Sequence, residues 1–173
     1  MFNFKFITLA LLLAQSALAN VSNSYKQTVF TFDTTGTGDQ EVPALKTDTR
    51  SFLRLSIDEG LSSLEYSLFI YQGRQIDRAH LHCGAAGVNG GLILEFYNNP
   101  KGTNINGILT RGVKTTDTLS AILGQGAEEC GVTNIASLFA AMRAGNVYLN
   151  VHSLPHSSGV NRGQILLFPT QSY

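Results

Sequence analysis

No run rich in lysine or arginine occurs anywhere in the chain, which balances 12 basic against 12 acidic residues. That absence removes the electrostatic footprint by which nucleic acid and anionic membrane surfaces are bound. After residue 19 there is also no apolar stretch near the roughly 20 residues a spanning helix needs, so no membrane span is expected in residues 20–173. Cysteine occurs only twice, at Cys83 and Cys130, and histidine only four times, at His80, His82, His152 and His156. No Ser-His-Asp or Cys-His constellation is evident from spacing, so no catalytic residue is assigned and an enzyme is not the leading expectation.

The first 19 residues read as an export signal. Lys5 is the single cation, Phe6 to Ala14 is apolar, and Ala17-Leu18-Ala19 is a small-x-small cleavage pattern before Asn20. Removing them takes away one base and shifts the net charge from zero to about −1, 11 basic residues against 12 acidic. The expected organisation is a signal at 1–19, a loosely held arm at 20–27 and a single domain at 28–173, secreted or periplasmic. A domain of this size buries about 68–70% of its unfolded surface, enough for a real core. In an oxidising compartment Cys83 and Cys130 are expected to pair. The bond closes a loop of about 47 residues, for which chain entropy gives near 4 kcal/mol; the alternative is two buried thiols. Cys83 beside His82 as an activated nucleophile is the weaker reading, given the second cysteine.

From Val29 onward, short alternating runs separated by turn residues predict seven or eight strands and an all-β sandwich. Ser51 to Asp58 sets Leu53, Leu55 and Ile57 on one face, and Ser63 to Tyr71 does the same with Leu64, Tyr66, Leu68 and Ile70. Glu59-Gly60-Leu61-Ser62 suits the hairpin between them. Asp77 to Cys83, Leu92 to Tyr97 and Asn146 to His152 alternate likewise, and Gly163 to Phe168 is a shorter apolar run. Only Asn134 to Gly145 breaks the rhythm, with Ile135, Leu138, Phe139 and Met142 at helical spacing, so one short helix is expected there. Gly84 to Gly91 and Lys101 to Gly107 read as glycine-rich loops.

The run Arg78-Ala79-His80-Leu81-His82-Cys83-Gly84 carries the most informative chemistry. Alternate strand residues face the same side about 6.6–6.8 Å apart, so both imidazoles can lean toward one point and form half of a metal site. The alternative is structural: neutral histidines tie loops down through bonds to carbonyls or carboxylates, with Asp77 and Asn150 as nearby partners.

Four ordered motifs carry a resemblance. They are Gly38-Asp39-Gln40-Glu41-Val42-Pro43, the run Ala79 to Gly90 with His80-Leu81-His82-Cys83-Gly84 at its centre, Gly145 to Ser153 with Val151-His152, and Asn161-Arg162-Gly163-Gln164-Ile165. Together, from about residue 28 to 168, they resemble the chordin-domain (CHRD) family. The resemblance implies an immunoglobulin-like Greek-key β-sandwich, related in outline to copper/zinc superoxide dismutases. Those enzymes carry a His-x-His pair on a strand, a later Val-His and an arginine before the last strand. The matching positions are His80 and His82, His152, and Arg162. No histidine lies between His82 and His152, so the bridging ligand and the rest of the zinc subsite have no candidates, and a two-metal dismutase is excluded.

Three imidazoles on two strands then make a mononuclear site with an open position, His156 being an extra ligand or a solvated loop residue. Imidazole suits copper, zinc, iron and nickel, and raw affinity favours Cu(II); copper is the expected ion and zinc the second choice. Arg162 reads either as a charge that guides a small anion or as a planar fork tied to backbone carbonyls or Glu41. Gly163 after it signals close backbone approach. The leading expectation is an exported CHRD binding module that holds one ion and meets an envelope or matrix partner. The alternatives are a mononuclear copper dismutase-like enzyme and a metal-free adhesion domain.

Overall fold

The strands begin where the period-two pattern begins. The structure, a computed structural model, describes residues 29–167, so the expected signal at 1–19 and arm at 20–27 lie outside the described residues. Among those residues the strands are β1 Val29–Gly36, β2 Arg50–Asp58, β3 Ser63–Cys83, β4 Leu92–Thr115, β5 Val147–Ser153, β6 His156–Gln164 and β7 Leu166–Leu167. Between β4 and β5 lie three helices: α1 Thr116–Ser120, α2 Gln125–Glu129 and α3 Ile135–Arg143. The fold is all-β.

The architecture rests on one long ribbon. β3 and β4 pair antiparallel from Ser63 opposite Thr115 to His82 opposite Leu92. The other edge of β3 pairs first with β2, up to Tyr71, and then with β5, from Ile76 onward. The changeover coincides with register shifts around Gly73 and with Gln72 and Gln75 at φ 51° and 50°, a left-handed conformation uncommon outside glycine. Bent there, the ribbon contributes to two half-sheets. Their outer strands meet at the bridge of Thr37 with Arg162, whose backbone bonds are 2.9 and 3.1 Å. The sheet is thereby nearly closed on itself.

The predicted apolar faces line the space between the halves. Leu53, Leu55 and Ile57 of β2, Leu64, Leu68, Ile70, Ala79 and Leu81 of β3, and Val147, Leu149 and Val151 of β5 are fully buried. Burial of each large aliphatic side chain is worth about 1.5–3 kcal/mol. Helix α3 starts where expected: Asn134 accepts from the Ser137 amide at 2.9 Å, and the Ser137 hydroxyl accepts from the Asn134 amide at 3.0 Å. Its buried Ile135, Leu138 and Met142 close the core, and Phe139 packs on Phe30 and Phe32.

Four expectations are corrected. The helix of Asn134 to Gly145 is not alone, because α1 and α2 precede it; at five residues each they are too short to show a helical period. Lys101 to Gly107 is not a loop but an irregular part of β4, where Thr103 pairs with Ile76 and Ile105 with Gly73. His156 does not sit in a loop, since β6 begins there. The last apolar run is also divided differently, with β6 ending at Gln164 and β7 covering Leu166–Leu167. Gly163 does mark a close approach: a Cβ there would stand 2.8 Å from the Thr35 carbonyl oxygen of β1.

Cys83 and Cys130 are joined, with Cα atoms 5.7 Å apart, tying the end of β3 to the end of α2. Nearby, Gly91 and Gly126 approach backbone to backbone, and Glu129 accepts from the Gly91 amide at 3.0 Å. Replacing both cysteines by serine is expected to cost about 2–4 kcal/mol in a denaturant titration, with reductant producing a similar loss in the unmodified protein.

Candidate metal centre

β3 and β5 are neighbours, and their polar alternate residues share one face. His82 pairs with Tyr148, His80 with Asn150 and Arg78 with His152. The pairing continues to β6, placing Arg162 opposite Asn150 and Gln164 opposite Tyr148. The opposite face of β3 and β5 is core, so this one needs its own cover. The loop 84–91 and the segment around Glu41 supply it. Asn89 donates to the Val42 carbonyl at 2.7 Å, and the Asn150 amide donates to the Glu41 carboxylate at 3.1 and 3.3 Å. His80 and His152 are each left only 6% exposed.

Two histidines are fixed by backbone carbonyls. The Nδ1 of His82 lies 3.1 Å from the Gly90 oxygen, and the Nδ1 of His152 lies 3.0 Å from the Ser157 oxygen. A carbonyl oxygen only accepts, so each Nδ1 is assigned the proton and each Nε2 the lone pair. Ligating atoms of His80, His82 and His152 lie within 4.8 Å of one another. Nitrogens bound to one ion at about 2.0–2.1 Å are at most about 4.2 Å apart. A small contraction of the cluster therefore completes a site.

The third histidine is in conflict without a cation. Its Nδ1 stands 3.1 Å from the His152 Nε2 lone pair, while its own Nε2 has no hydrogen-bond partner. The nearest carboxylate oxygen to that Nε2 is Oε2 of Glu95, at 3.4 Å. A proton on Nδ1 leaves a bare lone pair against the carboxylate. A proton on Nε2 instead leaves two lone pairs facing each other. A cation between the two nitrogens removes the second conflict, and the orphaned Nε2 of His82 is available to the same ion. The donor set thus fits one imidazole-ligated metal.

Burial, reinforced by the neighbouring His82, pushes the His80 imidazole down to about 4. Burial and the neighbouring His80 push His152 down to about 4 as well, and burial lowers His82. All three are therefore neutral near pH 7, the protonation state a metal ligand requires.

The other sequence candidates are placed differently. Arg162, 2% exposed, donates to the carbonyls of Ala85 and Val88, both at 2.9 Å, and to the Asn89 side chain at 3.1 Å. Its guanidinium carbon sits 3.5 Å above the Tyr148 ring, which also stacks on His82 at 5.2 Å between centroids. Arg162 thus fastens the loop whose Gly90 carbonyl orients His82. His156 opens β6 opposite Ser153 and is outside the three-histidine group. Asp77 and Asn150, expected as histidine partners, bond instead to Arg78 and Glu41. Glu95 and Tyr148 are the site neighbours that sequence reasoning did not single out, because their positions depend on pairing across strands.

A family model described as CHRD domain matches residues 32–165. No curated protein and no solved structure matches the chain.

This geometry has two measurable outcomes. The histidines bind protons less readily folded than unfolded, so their contribution to stability is fully present above about pH 6.5 and is lost as pH falls toward about 4. Melting of the metal-free protein should show that loss, and a melting temperature constant from pH 7 to 4.5 would contradict it. Arg162→Lys removes the fork and is expected to cost roughly 2–4 kcal/mol, with faster amide exchange at Gly90 as the local sign.

Proposed function

The chain belongs to the CHRD family, and from that premise we propose an exported binding module that holds one ion, copper first and zinc second, through His80, His82 and His152. The observation that carries this reading is the pair of carbonyl-fixed imidazoles, His82 and His152, meeting a third, His80, that has no satisfactory tautomer by itself. Rigidity adds to it. Both strands sit in the middle of the sheet, where pairing on both edges of β3 and β5 fixes the backbone.

Export is supported by the N-terminal pattern and by the disulfide. No helix among the described residues is long and apolar enough to cross a membrane. Three imidazoles leave an ion with an open position, which supplies Lewis acidity and, with copper, one-electron chemistry. The chain's own part is to hold three neutral nitrogens on rigid strands and shut most water out.

The binding reading stands ahead of the dismutase-like one because three donors of Arg162 are committed to the loop. The metal-free adhesion reading draws on one feature, the exposed row Phe52, Phe69 and Ile108 in register across β2, β3 and β4. That row is the surface we assign to an envelope or matrix partner.

Calorimetric titration of the purified protein with Cu(II) and with Zn(II) should give saturable one-to-one binding, tighter for copper. His80→Ala and His152→Ala should each abolish it; binding unchanged in both variants refutes the site. Superoxide consumption no faster than that of free copper is expected, and a faster rate would move the enzyme reading to the front.

A further inference from the structure

Outside the three ligands, one side chain faces the site and has no role in the function proposed above. Glu95, on β4, lies directly opposite His80 in the strand register. Its carboxylate is held by the Asn98 side chain, which donates to Oε2 at 3.0 Å. The same oxygen is 3.4 Å from Nε2 of His80, a buried atom with no hydrogen-bond partner, on a side chain 8% exposed. The far nitrogen of that ring, Nδ1, points at His152 Nε2 across 3.1 Å.

We infer that Glu95 is a positioning residue: its carboxylate accepts the Nε2 proton of His80, and so commits that imidazole to ligate through Nδ1. The inference rests on the three-histidine reading and adds a residue and an atom to it. Proton placement decides the matter. A metal-bound imidazole carries its single proton on the nitrogen away from the ion, and that proton needs an acceptor. For His82 and His152 the acceptors are the Gly90 and Ser157 carbonyls, and both must then ligate through Nε2. His80 has no carbonyl in that position. Its outward nitrogen is Nε2, and the acceptor within reach is a carboxylate, which also raises the basicity of the ring. The site would therefore hold one Nδ1 and two Nε2 ligands, each proton placed by a different strand or loop.

Glu95 has its side chain 42% exposed, so its replacement opens no core cavity and the variants should fold. The test uses the full domain with Zn(II), which is silent in magnetic resonance, followed by Cu(II). In zinc-loaded protein, long-range proton–nitrogen correlation spectra should show His80 protonated at Nε2 and metal-bound at Nδ1. Glu95→Ala should weaken Zn(II) and Cu(II) binding about 10- to 100-fold, the range for loss of an outer partner. Glu95→Gln, which keeps an acceptor oxygen, should recover most of that loss. A zinc-bound His80 protonated at Nδ1 overturns the inference, and so does unchanged affinity in Glu95→Ala. If His80→Ala still abolishes binding in either case, the three-histidine site survives and only the role of Glu95 falls. If the unaltered protein binds neither metal, both fall together.

Discussion

β5 is buried at all seven of its positions, and that single fact constrains everything near the site. An alternating strand inside a one-sided sheet would set its polar residues in water. Here the polar residues Tyr148, Asn150 and His152 lie under cover instead. Each buried donor or acceptor left without a partner costs about 1–3 kcal/mol, so the chain has to bring polar partners to this face. It does so with loop 84–91, with Glu41 and with the carbonyl of Ser157.

Arg162 shows how these partners are tied together. It grips the loop by its carbonyls and rests on Tyr148, which stacks in turn on His82. Packing, loop closure and histidine orientation are thus one assembly. Even so, buried atoms remain unpartnered on this face, among them Nε2 of His80 and of His82, Oδ1 of Asn150 and Oε1 of Gln164. The two nitrogens belong to residues that also ligate well, and they sit beside a third imidazole. An unpartnered polar cluster is a poor way to stabilise a fold and a good way to bind a cation.

Alternation made much of the fold readable. Leu53 to Ile57, Leu64 to Ile70, and Val147 to Val151 are apolar at every second place because one face meets the core. The capped start of α3 was equally plain in Asn134 and the stripe after it. What escaped depended on distant partners. Lys101 to Gly107 looks like a loop because its residues are small and polar, yet β3 supplies it with ladder bonds. His156 to Asn161 lacks an apolar rhythm, yet it belongs to β6 and is held to β5 at its two ends, His156 opposite Ser153 and Asn161 opposite Val151. The continuity of β3 through Gln72 and Gln75 requires left-handed backbone at glutamines, which no local signal announces. The site divides in the same way. His80, His82 and His152 were legible from spacing and motif, whereas the Gly90 and Ser157 carbonyls and the Glu95 carboxylate reach the imidazoles only through loop folding and strand register.

The central claim is that three imidazoles on two neighbouring strands hold one ion between them. Anomalous X-ray scattering from crystals grown with Zn(II) or Cu(II) addresses it directly. The account predicts one strong peak about 2.0–2.1 Å from a nitrogen of each of His80, His82 and His152. A peak at another set of residues, or none at the three histidines in crystals soaked to saturation, would contradict it.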